Sequence, residues 1–420
     1  MTMDRGKTVA EKILSTKSGE NAYAGEIVEA EIDFVMVNDV TGPIAFKEFE
    51  TLGCEPFVEK IVLIPDHFVP NKDISSAEQA AEMRRFARKY QIKNYFEVGK
   101  GGVCHQVMID EGFAAPGRLI VGADSHTCTY GGLGAFSTGI GSSEAAACFA
   151  EGQLWFKVPE SFKIELEGSF SSMVSGKDLI IRLITDIGVD GATYKALEFS
   201  GSGVKSVPVN ERLTIANMAI EAGGKAGIFP ADKMTLDYLG DRIRGEYQTV
   251  SPDEGAEYEK EMSYDLSELD YMVAMPHSPG NGKPVDEVDI PIDQAYLGSC
   301  TNGRIEDLRT AAKLLKGRKV NSNVRMIVVP ASTRVYEQAM NEGLLQIFID
   351  AGAFVSGPTC GACLGGYMGI LASGERCVSS TNRNFIGRMG HKDSEVYLAS
   401  PSVVAASAVA GRIVTPETIV

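Results

Sequence analysis

The chain has 420 residues, which at about 100–200 residues per domain means two to four domains, each able to bury a core. Its composition is ordinary for a globular protein, but 40 Lys and Arg against 56 Asp and Glu leave a net charge of −16, with no general attraction to nucleic acid or to anionic membrane. Eight cysteines are too few for a disulfide scaffold, the N-terminal residues carry no apolar leader core, and no apolar run nears the ~18 residues of a membrane span, so the expectation is a cytoplasmic protein with reduced thiols.

A helix comes first, opened by the capping-box pattern Thr8-Val9-Ala10-Glu11. From Val28 to Val37, apolar residues alternate with Glu29, Glu31 and Asp33, the period of a half-buried edge strand. Pro43 to Leu52 reads as a helix stopped at Gly53, and Ile61 to Ile64 as a short buried strand. Ser76 to Tyr90 reads as a helix capped by Ser76-Ala77-Glu78-Gln79, followed by strands at Tyr95 to Val98 and Leu119 to Val121. The alternation continues with a strand at Phe162 to Leu166, a helix at Lys177 to Ile187, a strand at Lys195 to Phe199 and a helix at Arg212 to Ala222. Between Arg242 and Pro291 the chain turns polar and proline-rich, which reads as a boundary or a long surface connection. Strands resume at Gln294 to Leu297, Arg325 to Val329, Ala353 to Val355 and Arg376 to Ser379. This grammar predicts an α/β fold with mostly parallel sheets in three units, 1–156, 157–275 and 285–420, with ligands beyond the carboxyl ends of the strands.

Glycine is 45 of the 420 residues, above the usual ~7%, and it crowds around three cysteines in loops after strands. These are Cys300 in Gly298-Ser299-Cys300-Thr301-Asn302-Gly303, and the pair Cys360 and Cys363 flanked by Gly357, Gly361, Gly365 and Gly366. A thioredoxin-type pair would leave Cys300 unexplained. Structural zinc needs four ligands, for which Cys377 is a candidate although it opens an apolar strand. Plain core packing suits Cys54, Cys104, Cys128 and Cys148. The sharper reading is a [4Fe-4S] cluster on three thiolates, with an open iron as Lewis acid.

Only five histidines occur. Asp66-His67 and Asp124-Ser125-His126 follow predicted strands, and His105 follows Gly101-Gly102-Val103-Cys104. A carboxylate beside an imidazole sets its tautomer and basicity, which serves proton transfer as well as plain structural bonding. His277 and His391 read as solvated.

In this order, Asp66-His67, His105-Gln106, Asp124-Ser125-His126-Thr127, Gly298-Ser299-Cys300-Thr301-Asn302, Cys360-x-x-Cys363 and Asn382-Arg383-Asn384-Phe385-x-Gly387-Arg388 make the chain similar to the aconitase superfamily over essentially its whole length. It resembles those members whose last, swivelling domain is a separate polypeptide. The resemblance implies three α/β/α layered domains around one central [4Fe-4S] cluster, held by Cys300, Cys360 and Cys363 with one iron open. It further implies proton-handling pairs Asp66–His67, His105–Asp124 and His126–Glu221, with Asn217 and Glu221 four apart on one helix face. Ser125, Asn217, Asn302 and Asn382 are implied near cluster or substrate, and Arg383 and Arg388 as fork donors to substrate carboxylates.

Two departures stand out. Tyr130 occupies a position where the family often has histidine, and the Tyr-Gly-x-Gly-Ser-Ser-Arg-Glu segment with the family's serine base is absent. Gly141-Ser142-Ser143-Glu144 reads instead as a helix cap. The resemblance therefore implies a small subunit that supplies the swivelling domain and the serine. The implied activity is a hydro-lyase acting on a small anionic hydroxy acid, first of all the isomerisation of 2-isopropylmalate to 3-isopropylmalate through 2-isopropylmaleate in leucine biosynthesis. Homoaconitase, or a dehydratase of another small substituted malate, is the alternative, the discriminating pocket being expected largely on the small subunit. A cluster-dependent RNA-binding regulator is opposed by the acidic balance, and a non-catalytic zinc protein is a third reading.

Overall fold

Short apolar strands connected through helices pair in parallel, because only a crossover lets successive strands run the same way. The computed structural model describes residues 5–171 and 173–420. Its first sheet has the order Ile61–Leu63, Phe34–Val37, Leu119–Gly122, Phe136–Gly139, all parallel. A second, also parallel, runs Lys260–Asp265, Ser161–Glu167, Ala196–Ser200, Ala226–Ile228. The third has seven strands in the order Gly282–Pro284, Met272–Ala274, Glu395–Ala399, Arg376–Ser379, Gln294–Gly298, Arg325–Val329, Phe354–Val355, the first two joining antiparallel. Ile27–Glu31 and Gln153–Lys157 form a separate antiparallel ribbon.

Four expectations are corrected. The alternation from Val28 to Val37 is two strands, broken where the Asp33 carboxylate accepts the Leu119 N–H at 2.7 Å and turns the chain from the ribbon into the first sheet. The helix Ile74–Lys89 is capped by Asp73, whose Oδ1 accepts the Ser76 N–H at 2.8 Å, so Ser76 is its third residue rather than its cap. Tyr95 to Val98 forms no strand, Tyr95 making a single bridge to Leu63. The polar stretch 242–291 is not mere connection: Lys260–Asp265 and Gly282–Pro284 are edge strands, polar because they face solvent, while the buried Met272–Ala274 belongs to the third sheet.

The segment 212–222 matters most for the site. It is an α-helix over Val209–Asn217 that tightens to a 3-10 turn over Met218–Ala222, so Asn217 and Glu221 do not share a regular helix face. The 3-10 segment Ser125–Leu133 packs against it through Gly132 and against the neighbouring strand Ala226–Ile228 through Gly131. A Cβ on Gly131 would lie 2.0 Å from the Gly227 carbonyl oxygen, and one on Gly132 2.8 Å from the Arg212 backbone. Arg212 itself is fully buried: Nε donates to the Val207 carbonyl at 2.9 Å, and one terminal nitrogen donates to the Val204 carbonyl at 3.0 Å and to Asp232 at 2.7 Å. Arg212→Met is expected to cost roughly 3–5 kcal/mol by leaving these acceptors unpaired, measurable by urea unfolding; a loss below 1 kcal/mol would contradict this account.

Candidate active site

The carboxyl ends of the first and third sheets are bonded to each other. Cys360 donates its N–H to the Asp66 carbonyl at 2.8 Å and Thr359 its hydroxyl to the same oxygen at 3.0 Å. Val103 donates to the Ala331 carbonyl at 2.9 Å, and Ser332 Oγ to Asp110 at 2.6 Å. Between these loops lies a cavity of about 230 Å³.

Asp39, Asp66 with His67, and Asp124 with His126 stand where strands end, whereas His105 opens the helix Cys104–Asp110 and Glu221 lies in the 3-10 turn Met218–Ala222. Asp39, two residues beyond Phe34–Val37, is fully buried and accepts three consecutive N–H groups, from Asp66 at 2.9 Å, His67 at 2.8 Å and Phe68 at 2.9 Å. That clamp sets the loop in which Asp66 Oδ1 meets His67 Nδ1 at 2.6 Å. The other Asp66 oxygen accepts the Cys104 N–H at 2.7 Å. Asp124 accepts from His105 Nε2 at 2.9 Å and from the His126 N–H at 2.9 Å, and its second oxygen lies 3.5 Å from His67 Nε2. His126 Nε2 meets Glu221 at 2.8 Å, and the same Glu221 oxygen accepts Arg383 Nε at 2.7 Å. The structure thus joins Asp66, His67, Asp124 and His105 in one set and His126, Glu221 and Arg383 in a second, the two linked where His126 Nδ1 lies 3.7 Å from Asp124.

Electrostatics follows from this wiring. Burial opposes a charge on His67, but Asp66 and Asp124 on its two nitrogens outweigh it and raise its pKa well above 6.5. Burial likewise opposes the Asp124 charge, yet His105, with His126 and His67, holds its carboxyl well below the usual carboxylate range. A base whose pKa is raised on folding stabilises fully below its unfolded pKa and loses that contribution as pH rises through the folded value. His67→Asn is therefore expected to be destabilised most below about pH 6.5 and to converge with the parent protein at alkaline pH. Thermal unfolding across pH checks this, and a pH-independent gap would overturn it.

Tyr130 is fully buried, with its oxygen 3.0 Å from His105 Nδ1. Burial, first of all, pushes its phenol well above 10, so it keeps its proton. The ionised Asp124 carboxylate can only accept, so His105 Nε2 carries a proton directed at Asp124, and Tyr130 fixes the other edge of the ring. Tyr130→Phe is expected to lower kcat roughly tenfold with KM little changed, readable in steady-state kinetics.

Cys300, Cys360 and Cys363 all line the cavity and are buried. Cys300 follows the strand Gln294–Gly298 through Ser299, a non-glycine residue held at φ 75°. Asn217 and Asn382 direct amide N–H groups at Cys300 Sγ from 3.4 and 3.6 Å, and Arg388 approaches Cys363 Sγ at 4.0 Å. Burial pushes the Cys300 thiol up to about 12, while the Cys360 thiol and then Arg388 pull Cys363 down. Arg388 Nε is buried with no acceptor among the described residues. Thiols ringed by N–H donors and an unspent guanidinium fit an anionic thiolate-ligated group.

Ser125, Asn382, Arg383 and Arg388 also line the cavity with the three histidines. Asn217 stands one layer behind, bonded to Thr129, Thr301 and Asn382 at 2.8, 2.9 and 3.1 Å. Glu221 is likewise reached only through His126 and Arg383. Asn302 does not face the cavity: its amide donates to Thr214 at 3.2 Å and to Asp307 at 3.0 Å. Among the other cysteines, Cys54 is exposed rather than in a core, and Cys377 is buried in the strand Arg376–Ser379. Sequence reasoning missed Asp39 and the Tyr130–His105 bond, though Asp39 follows a strand as the recognised aspartates do.

Three thiols and two linked sets of imidazoles and carboxylates, gathered at strand ends, define an α/β protein built for acid–base chemistry at a sulfur-lined centre. The chain belongs to the aconitase family (aconitate hydratase), whose pattern matches residues 11–289 and 282–411, and that family implies an iron–sulfur cluster. The sequence is 55% identical over 417 residues to the 3-isopropylmalate dehydratase large subunit of Clostridium kluyveri, covering 98% of this chain and 99% of that one. It is 55% identical over 413 residues to the 3-isopropylmalate dehydratase large subunit of Picrophilus torridus, covering 98% and 100%. To the 2,3-dimethylmalate dehydratase large subunit of Eubacterium barkeri it is 53% identical over 416 residues, covering 98% and 99%. The holo form of Thermococcus kodakaraensis aconitase X shares the fold, with TM-score 0.50 at 12% identity over 89% of this chain and 88% of that one. No helix among the described residues is long and apolar enough to cross a membrane.

Proposed function

We propose that this chain is the cluster-bearing large subunit of a hydro-lyase that converts 2-isopropylmalate to 3-isopropylmalate, by loss of water to 2-isopropylmaleate and its return at the neighbouring carbon, in leucine biosynthesis in the cytoplasm. The observation that carries this reading is the convergence of three cysteines and the linked imidazole–carboxylate pairs on one cavity, in a chain 55% identical to relatives of that name. A second reading, a dehydratase of another small alkyl-substituted malate, is favoured by the 53% identity to the 2,3-dimethylmalate enzyme's large subunit.

Cys300, Cys360 and Cys363 would hold one [4Fe-4S] cluster, the amides of Asn217 and Asn382 and the guanidinium of Arg388 offsetting its negative charge. When bound, a cluster with an open iron supplies Lewis-acid activation of the leaving hydroxyl. Arg383, oriented by Glu221, and Arg388, with its free Nε, bind the substrate carboxylates as forks. His67, kept as imidazolium between Asp66 and Asp124, donates a proton toward the departing oxygen, and His105 and His126 hold water and hydroxyl in place beside Ser125. Removal of the proton next to a carboxylate falls to a serine on the swivelling domain of a separate small subunit.

Anaerobic co-purification with the small subunit, followed by hydration assays on 2-isopropylmaleate, 2,3-dimethylmaleate, homoaconitate and citraconate, tests the proposal. The expected result is highest kcat/KM on 2-isopropylmaleate, only with the partner present. Zinc in place of iron and sulfide, or no hydration of any of the four, defeats it.

A further inference from the structure

Resting on the hydro-lyase reading above, we propose that Val40, Phe68 and Leu364 form a subsite for the alkyl group of the substrate, so that part of the substrate selectivity lies in this chain and not wholly in its partner. Acids, imidazoles, thiols and arginines dominate the cavity wall. Such groups recognise carboxylate, hydroxyl and proton, and gain nothing from hydrocarbon. The same wall carries Val40, Phe68 and Leu364, which are only partly buried and take no part in the described hydrophobic cores. Apolar side chains left out of every core yet set in a polar cavity call for an apolar occupant.

Each is fixed by the polar machinery it follows in sequence: Val40 follows Asp39, Phe68 follows His67, and Leu364 follows Cys363. The Phe68 N–H is held by Asp39 at 2.9 Å, and the Lys72 ammonium sits 4.3 Å from its ring centre. Leu364 closes the turn Gly361–Leu364 that carries Cys363. Phe68 and Leu364 meet over Gly366, where an added Cβ would lie 2.2 Å from Phe68 Cε1 and 2.5 Å from Leu364 Cδ1. A side chain at that position would have to push both aside. With the carboxylates on Arg383 and Arg388, an isopropyl or methyl group buried here leaves water at no polar cost, whereas a further carboxylate would be stripped of water against hydrocarbon.

The test uses the holo-complex with its small subunit, carrying Leu364→Ala or Phe68→Leu, assayed on 2-isopropylmaleate and on citraconate, which bears a methyl group instead. The ratio of kcat/KM for the isopropyl over the methyl diacid is expected to fall about tenfold or more in either variant. An equal loss on both diacids, or an unchanged ratio, overturns the subsite. If Leu364→Ala fails to assemble, Phe68→Leu carries the same comparison. A parent complex that hydrates neither diacid sinks the underlying reading and the subsite with it, whereas an active parent whose variants keep its ratio sinks the subsite alone.

Discussion

Cys363→Ser, purified anaerobically with the small subunit, is expected to hold no [4Fe-4S] cluster and to lose at least about a thousandfold in kcat/KM. The loss follows from what a Lewis acid contributes, several kcal/mol of charge stabilisation at the leaving oxygen, each 1.36 kcal/mol being about tenfold in rate. Serine keeps the size but not the soft sulfur donor, and Arg388 would face a neutral hydroxyl in place of the sulfur it now approaches at 4.0 Å. Cys377→Ser is the matched control. Its thiol is buried behind the strand Arg376–Ser379, beside Gln294 rather than the cavity, so iron, sulfide and activity should persist. Iron and acid-labile sulfide analysis with kinetics reads both variants, and a cluster retained in Cys363→Ser would remove that residue from the ligand set.

Asp124→Asn is expected to lower kcat by about 10²–10⁴ while leaving cluster content and secondary structure unchanged. Asp124 is the junction of the hydrogen-bonded network: one of its oxygens serves His105 and the His126 N–H, the other faces His67. An amide presents one acceptor oxygen where the carboxylate presents two, and it brings no negative charge to hold His67 protonated or to orient the Nε2–H of His105. Kinetics of the reconstituted complex with parallel iron analysis checks this. A drop of less than tenfold would show that the carboxylate is structural only.

The parts of the site legible in the sequence were those whose chemistry is local. Asp66 and His67 are neighbours, and a Cys-x-x-Cys among glycines announces converging sulfurs. The parallel strands were legible because a short apolar run between helices has few other solutions. What stayed hidden depends on long-range geometry. Nothing in Asn38-Asp39 tells that one carboxylate will collect three amide protons from a loop 27 residues further on. Lys177 read only as a helix start, yet it is fully buried, with its ammonium on the carbonyls of Ser380 and Thr381 immediately before Asn382. Burial lowers that ammonium to about 7. Asn302 shows the same dependence: its neighbour Cys300 faces the cavity, while a short helical turn directs the Asn302 amide toward Asp307.

The peptide unit of Asp66 belongs to two machines at once. Its carboxylate grips His67 and the Cys104 amide, while its carbonyl oxygen receives the Cys360 N–H and the Thr359 hydroxyl. The sulfur-bearing loop and the proton-bearing loop are therefore one mechanical body, with no slack between them. Oxidation of Cys360 is therefore expected to disturb the Asp66–His67 pair together with the sulfur loop. Amide hydrogen exchange at Cys360 and at Cys104, whose N–H groups are both held by Asp66, is then expected to report one shared opening, with matched rates.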